Sequence, residues 1–173
     1  MMDAYDALIE RRSVRKYKSD RVPEDILEKI ALAGTYAPSG MNRQPGKIII
    51  VRDEILRDRL ERLNAKAMGN EDARPFYGAK DLIVVLADKS APTYLYDGSL
   101  IMGNILNAAY SLGVSSCWIH RAKEVFESEE GRKILLDLGI DGEYEGIGQC
   151  ILGYSDGPEP DAKDRKEGVI VYA

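Results

Sequence analysis

The sequence has few of the residues that build metal sites and disulfide frameworks. Its 173 residues include one histidine and two cysteines, which cannot assemble a His₂–Glu or Cys₄ zinc site or a disulfide network. Cys117 and Cys150 each lie inside an apolar stretch, so we expect two buried free thiols. We therefore predict no metal site, and the chemistry of this protein must use other groups.

Long apolar runs, targeting signals and positive net charge are also absent. No apolar run approaches the ~20 residues of a membrane span, and the first residues contain no basic targeting region. The formal net charge is −5 and the pI is about 5.1, which argues against a nucleic-acid surface spread over the whole protein. We expect one domain over residues 1–173, a cytoplasmic location, and neither a membrane nor a nucleic acid as partner.

Hydrophobic periodicity predicts helices that alternate with short strands. We expect helices at 3–12, 23–34, 53–67, 97–113 and 129–138, and strands at 47–51, 82–87, 114–119 and 146–154, with a last β-like run at 169–172. This alternation indicates an α/β or an α+β protein. The helix at 97–113 is apolar on nearly every side, so we expect it to be buried all round and to pack against a second subunit.

Positive charge is concentrated near the N terminus. Between Arg11 and Arg21 lie six basic residues and one acidic residue, Asp20. Such a run is commonly a solvated surface. It is also suited to an anion such as phosphate, because arginine donates paired hydrogen bonds to phosphate oxygens and Ser13 adds a hydroxyl. In an extended segment, Ser13 and Arg15 point the same way and could reach one anion.

Two further polar clusters have both a local and a ligand-binding interpretation. The turn Pro38-Ser39-Gly40, with Asn42 and Gln44, has the composition of an ordinary surface loop. Its backbone amides and polar side chains also match the mixed donor and acceptor edge of a heterocycle. Lys163 and Arg165 are two residues apart in an acidic tail and would share one side of an extended segment.

The order of these clusters and the residues in them resemble motifs of the FMN-dependent nitroreductase family. Arg11-Arg12-Ser13-Val14-Arg15 is similar to the family's RRSxR motif, and residues 37–45 are similar to its APSxxNxQP loop. Ser116-Cys117-Trp118-Ile119 resembles the family's strand behind the flavin, and the 152–154 strand with the basic 163–166 tail is also family-like. Together these motifs span almost the whole chain in the family's order.

The resemblance implies the fold and the residues of the site. The fold would be α+β, with a central mixed, mainly antiparallel sheet flanked by helices, in a homodimer with FMN sites at the subunit interface. The implied contacts of the FMN phosphate and pyrimidine edge are Arg11, Arg12, Ser13 and Arg15, with Lys163 and Arg165 reaching back to the phosphate. The other subunit would contribute Pro38, Ser39, Gly40, Asn42 and Gln44, and the backbone at Trp118, Ile119 and His120 would approach the flavin. Position 120 is often glycine in related sequences.

The resemblance also implies an activity. A tightly bound FMN would be reduced by NAD(P)H, a diffusible reductant, and would then reduce a nitroaromatic or quinone in a ping-pong cycle. No dedicated catalytic residue is needed, because the flavin performs the redox chemistry. Two alternatives stay open. One is a flavoenzyme of the same fold with another reaction, such as enone reduction, reductive dehalogenation or flavin fragmentation. The other is an anion- or nucleic-acid-binding module that uses the Arg11–Arg21 run.

Overall fold

A computed structural model describes residues 3–173 of the chain, and these residues form helices on both sides of one sheet. The helices are α1 (Ala4–Glu10), α2 (Glu24–Thr35), α3 (Glu54–Ala67), α4 (Tyr94–Ser111), α5 (Ala122–Glu127) and α6 (Glu129–Asp137). The strands are β1 (Gly46–Val51), β2 (Asp81–Asp88), β3 (Ser115–Ile119) and β4 (Tyr144–Gly153). A short 3₁₀ helix, Gly40–Asn42, precedes β1. Among these residues no helix is long and apolar enough to cross a membrane.

Local capping explains where two of the predicted helices begin. The Asp53 carboxylate accepts a hydrogen bond from Leu56 N at 2.7 Å and starts α3. The Ser128 hydroxyl accepts one from Gly131 N at 3.0 Å and starts α6. Each contact satisfies a backbone donor that the first helical turn leaves free.

The four strands form one sheet in the order β1-β2-β4-β3, and every neighbouring pair is antiparallel. Outside these strands, Ser13 forms an isolated parallel bridge with Ser116 at the outer edge of β3. The α+β class and the mixed, mainly antiparallel sheet are therefore confirmed. The order of the strands follows from their pairing and could not be obtained from the sequence.

Each face of the sheet packs on its own set of helices. On one face, α3, α5 and α6 cover a cluster that includes Leu60, Phe76 and Ile151. On the other face, α2 and α4 cover a cluster that includes Ile30 and Ile105. Both faces of β2 are buried along almost its whole length, as expected of a central strand with apolar residues on both sides. Cys117 and Cys150 are buried free thiols, as predicted.

The structure differs from the sequence predictions at two places. Helix α5 was not predicted, because it has only six residues and follows Arg121, a left-handed residue with no capping side chain. The predicted β-like run at 169–172 was wrong: these residues form no strand and are exposed, since no strand of the described chain pairs with them. Within one chain Tyr96 and Leu100 of α4 are exposed, so the burial of this helix against a second subunit stays a prediction.

Candidate functional site

The N-terminal arginine segment lies along the outer edge of β3. Val14 N donates a hydrogen bond to Ser116 O at 3.1 Å, next to the Ser13–Ser116 bridge. We call residues 11–15 together with residues 116–120 the arginine edge. Tyr17, two residues after Arg15, donates a hydrogen bond from its hydroxyl to Val14 O at 2.8 Å. Its ring lies against Gly153, where an added Cβ would meet it at 2.9 Å. This packing fixes the chain direction just after the arginines.

Several buried donors of the arginine edge have no hydrogen-bond partner among the described residues. They are Arg11 Nη1, Arg12 Nε, Ser116 Oγ and Trp118 Nε1. Buried polar groups are normally paired, and an unpaired one costs about 1–3 kcal/mol, more when it is charged. Arg12 Nη1 is already used, because it donates to Ile9 O and Arg11 O at the end of α1. The donors of Arg11, Arg12 and Ser116 suit an anionic ligand with several acceptor oxygens, such as a phosphate, whereas Trp118 Nε1 lies over Gly148 in the core.

The basic run from Arg11 to Arg21 does not form one continuous cationic face. Lys16 pairs with Asp156 at 2.9 Å. Arg21 pairs with Glu54 at 2.8 Å and lies 3.7 Å from the buried Asp81. These two cations are therefore neutralised by local acids, and Arg11, Arg12 and Arg15 remain near the bridge to β3.

The end of β3 is held from both faces of the sheet. On one face, the Trp118 ring covers Gly148, where an added Cβ would lie 2.3 Å from Trp118 Nε1. On the other, the fully buried Asn64 donates to His120 O at 2.7 Å and to Gln149 Oε1 at 2.6 Å. Ile119 is buried in the cluster under α3 and α5, whereas the His120 side chain is exposed. These contacts within the chain thus fix the backbone at residues 118–120 without a ligand.

A second group of predicted residues lies in the segment before β1. We call residues 38–44 the β1 loop. Ser39 Oγ accepts from Gln44 N at 3.0 Å, and Gln44 Nε2 donates to Asn42 Oδ1 at 3.0 Å. Three non-glycine residues have positive φ, Met41, Asn42 and Gln44. Pro38, Asn42 and Gln44 are exposed, and Ser39 and Gly40 are half-buried. The loop therefore presents polar side chains and amides on an unusual backbone.

The arginine edge and the β1 loop lie at opposite edges of the sheet. Through β2, Gly46, the first residue of β1 after the loop, aligns with Glu145 near the start of β4. Through β3, Ser13 aligns with Leu152 near the end of β4. Four strand spacings and most of the length of β4 separate Ser13 from Gly46, a distance of about 25–30 Å. Within one chain, the arginine segment and the β1 loop are therefore far apart.

The predicted tail contacts are not brought to the arginine edge. Lys163 and Arg165 lie on an exposed irregular segment after β4 and form neither an ion pair nor a hydrogen bond with the described residues. Near the start of this segment, the Glu159 carboxylate accepts a hydrogen bond from Ser115 Oγ at 3.3 Å. The tail thus passes the outer edge of β3, and the phosphate role of its two basic residues stays a prediction.

Three polar residues that support the site were not singled out from the sequence: Asn64, Asp97 and Gln149. All three are buried. Asn64 interrupts the apolar stripe of α3, and Gln149 interrupts an apolar strand. A polar residue at a core position must find a buried partner, so its position in the pattern was the available signal.

Comparison with known proteins identifies the family. The model of the Nitroreductase family matches residues 8–154. This chain belongs to the Nitroreductase family. A relative from Methanothermobacter thermautotrophicus, named "Putative NADH dehydrogenase/NAD(P)H nitroreductase", is 36% identical over 68% of this chain and 60% of its own length. A relative of the same name from Archaeoglobus fulgidus is 34% identical over 89% of this chain and 86% of its own. The chain thus spans less than two thirds of the first relative.

Two solved structures have the same fold as this chain. A nitroreductase with bound FMN from Bacteroides fragilis superposes with a TM-score of 0.88, at 28% identity and with 100% of both chains covered. An oxidised iodotyrosine deiodinase bound to FMN and 3-iodo-L-tyrosine superposes with a TM-score of 0.80, at 26% identity and with 99% of both chains covered. These comparisons confirm the predicted nitroreductase-like fold.

Proposed function

We propose that this chain is an FMN-dependent oxidoreductase that oxidises NAD(P)H and reduces electron-poor acceptors such as nitroaromatics or quinones. In this proposal residues 1–173 are one flavin-binding domain, and the active unit is a homodimer with the flavin between subunits. The cytoplasmic location stays a prediction from the sequence. The observation that carries the proposal is the set of unpartnered buried donors at the arginine edge, in a chain whose family includes FMN-bound structures.

The donor set suits the chemistry of FMN. The cofactor carries a phosphate of about −1.5 to −2 charges, and a chain of net charge −5 needs a local cationic site to hold it. Arg11 and Arg12 would bind the phosphate or the pyrimidine edge, with Ser13 and Arg15 beside them. When bound, FMN supplies the electron-transfer chemistry. The chain binds and orients the cofactor and sets the charge around it.

The separation of the two regions supports a site shared between subunits. A flavin whose phosphate lies beside Ser13 would be far from the β1 loop of the same chain, and in this proposal a second chain supplies the loop. Large apolar side chains are exposed on neighbouring helices: Tyr5, Leu8 and Ile9 on α1, and Tyr96 and Leu100 on α4. Apolar surface of this kind marks a protein interface, and burying it between two copies would bring the loop of one chain toward the arginine edge of the other.

The absorption spectrum of the purified protein tests the proposal directly. We expect a yellow protein with bound FMN that bleaches when NADH or NADPH is added without oxygen and recovers its colour when a quinone or nitroaromatic is added. A colourless protein that FMN neither binds nor stabilises would overturn the proposal. Salt-sensitive binding of oligonucleotides by such a protein would instead favour the anion-binding alternative.

Reductive dehalogenation is the second candidate, because the full-length structural likeness extends to an iodotyrosine deiodinase bound to 3-iodo-L-tyrosine. A steady-state panel separates the two reactions. Equal concentrations of a nitroaromatic, a quinone and 3-iodo-L-tyrosine are offered to the reduced enzyme. Release of iodide at a rate above that of nitro or quinone reduction would support the second candidate and displace the first.

A further inference from the structure

A buried carboxylate lies directly behind the β1 loop. Asp97 belongs to the first turn of α4 and is only 3% exposed. Its Oδ1 accepts a hydrogen bond from Gly40 N at 3.0 Å, and its Oδ2 accepts one from Thr93 Oγ1 at 2.8 Å. The positive end of the helix dipole favours a negative charge at this place. Asp97 therefore connects the loop to a long, rigid helix.

The β1 loop needs such a connection because its backbone is strained. Met41, Asn42 and Gln44 have φ values of 53°, 54° and 50°, in the left-handed region that residues other than glycine seldom adopt. The bonds between Ser39 and Gln44 and between Gln44 and Asn42 close the loop on itself. They do not attach it to the body of the protein, so strained residues persist only if outside contacts hold them.

The loop is attached to α4 through Gly40, and a larger residue would not fit at this position. A Cβ at Gly40 would lie 2.4 Å from Thr93 Oγ1, so only glycine lets the backbone come this close to the start of α4. Behind the loop there is a cavity of about 150 Å³ whose lining includes Pro38, Ser39 and Asp97. Because apolar packing does not fill this space, the hydrogen bond from Gly40 N to Asp97 is a main support of the loop.

We propose that Asp97 is a positioning residue for the cofactor: it holds the Gly40 amide, and through it Ser39 and Asn42, in the geometry that contacts FMN in the other subunit. This inference rests on the proposed function. Asp97 also lies on α4 between Tyr96 and Leu100, which are exposed and apolar. In the proposed dimer, the contact between subunits through α4 would therefore also fix the position of the β1 loop.

Two substitutions at Asp97 separate positioning from general stability. Asp97→Ala removes both hydrogen bonds. Asp97→Asn keeps them, since Asn Oδ1 accepts from Gly40 N and Nδ2 donates to Thr93 Oγ1. The matched control is Asp53→Ala, which removes a similar carboxylate-to-amide bond at the start of α3, away from the loop. The readouts are the Kd for FMN, from quenching of flavin fluorescence, the melting temperature, and the rate of trypsin cleavage after Arg43 in the FMN-free protein.

Asp97→Ala should raise the Kd for FMN and speed cleavage after Arg43, each by about tenfold, as expected for losing a hydrogen bond to a buried charged acceptor. Asp97→Asn should stay within about threefold of the wild type in both measurements. Asp53→Ala should lower the melting temperature and leave both other readouts unchanged. If Asp97→Ala does not fold, Thr93→Val replaces it and should show the same two changes at a smaller size.

The outcomes distinguish this inference from the proposed function. Wild-type protein that does not bind FMN refutes the proposed function, and the trypsin rates then report on the loop alone. Wild-type protein that binds FMN, together with an Asp97→Ala variant of unchanged Kd and unchanged cleavage, overturns the role of Asp97. Equal changes in Asp97→Ala and Asp53→Ala also overturn it, because they would follow from lost stability.

Discussion

The arginine edge and the β1 loop contribute to the same proposed site but are supported in different ways. The arginine edge rests on the packed core: the ring of Tyr17 lies on Gly153, and that of Trp118 lies on Gly148. The β1 loop rests on a few hydrogen bonds, chiefly from Gly40 N to the buried Asp97, with a cavity behind it. The first region is rigid before any ligand arrives, and the second is held by a few polar contacts.

This difference indicates a division of roles in the proposed dimer. Charged donors that are buried and unpaired before a ligand binds must be held in fixed positions, because movement of their side chains would let them pair with local acceptors. Arg12 shows the tendency, since its Nη1 already donates to two carbonyl oxygens at the end of α1. A loop that meets its ligand across a subunit interface can be held more loosely, because the partner completes its contacts.

The largest expected effect is the loss of FMN from the arginine edge. Arg11→Ala removes a guanidinium with a buried, unpartnered nitrogen, and it should raise the Kd for FMN about 30- to 100-fold, as for a strong charge-assisted hydrogen bond. Flavin fluorescence titration measures this change. Lys16→Ala is the matched control, because it removes a cation of the same run that pairs with Asp156. If Arg11→Ala keeps wild-type affinity, the phosphate does not bind at this edge.

Mixing two defective variants tests whether the regions act across the interface. One variant carries Arg11→Ala, and the other carries Ser39→Ala with Asn42→Ala in the β1 loop. Each homodimer has only defective sites. A heterodimer has one site made of an intact arginine edge and an intact loop, so random mixing should restore about a quarter of the wild-type sites.

Subunit exchange under mild denaturant, followed by flavin occupancy at a fixed FMN concentration, measures this recovery. Exchange is verified by mass spectrometry with one variant isotopically labelled. Heterodimers that form without recovering any occupancy would mean that each chain builds its flavin site alone. A species that sediments as a monomer with bound FMN would contradict the shared site from another direction.

The way each element is stabilised also explains how much of the fold and the site could be predicted from the sequence. Apolar periodicity located four strands and five helices, because these elements bury one or both faces within the chain. It failed at 169–172, where an apolar run has no neighbouring strand, and at α5, which is too short to show a period. The arginine segment and the loop were found from their composition. Asp97, Asn64 and Gln149 were missed because their roles depend on partners 56 to 85 residues away in the chain.

A substitution in the core should disturb the arginine edge and leave the loop intact. In Gly148→Ala the new methyl would lie 2.3 Å from Trp118 Nε1 and 2.9 Å from Met102 Cε. The rigid indole must move, so we expect the free energy of unfolding to fall by about 1–3 kcal/mol. Trp118 is the only tryptophan, so its fluorescence should shift as well, whereas trypsin cleavage after Arg43 should not change.

The control for this substitution is Gly103→Ala in α4, where, apart from the adjacent backbone of the same helix, no described residue lies within 4 Å of the added methyl. Alanine in a helix interior should stabilise the chain by up to about 1 kcal/mol. An unperturbed Trp118 in Gly148→Ala would show that the arginine edge is not set by core packing. A loss of dimer affinity in Gly103→Ala would show that a second subunit covers this side of α4.

The smallest expected effect is an alkaline weakening of the fold at the arginine edge. Burial raises the pKa values of the Tyr17 hydroxyl and the Cys150 thiol well above their usual ranges. Their stabilising contribution is complete below the unfolded-state values of about 8.5 for cysteine and 10 for tyrosine, and it decreases as the pH rises above them, because the unfolded chain ionises first.

Tyr17→Phe should cost about 1 kcal/mol at neutral pH for the lost bond to Val14 O, and it should make the decrease above pH ~10 shallower. Urea unfolding between about pH 8 and 11 measures this slope, with Tyr5→Phe, at an exposed tyrosine, as the control. A slope in Tyr17→Phe equal to that of the wild type would mean that the Tyr17 hydroxyl is not held in its neutral form, and that the turn after the arginines is looser than its packing on Gly153 indicates.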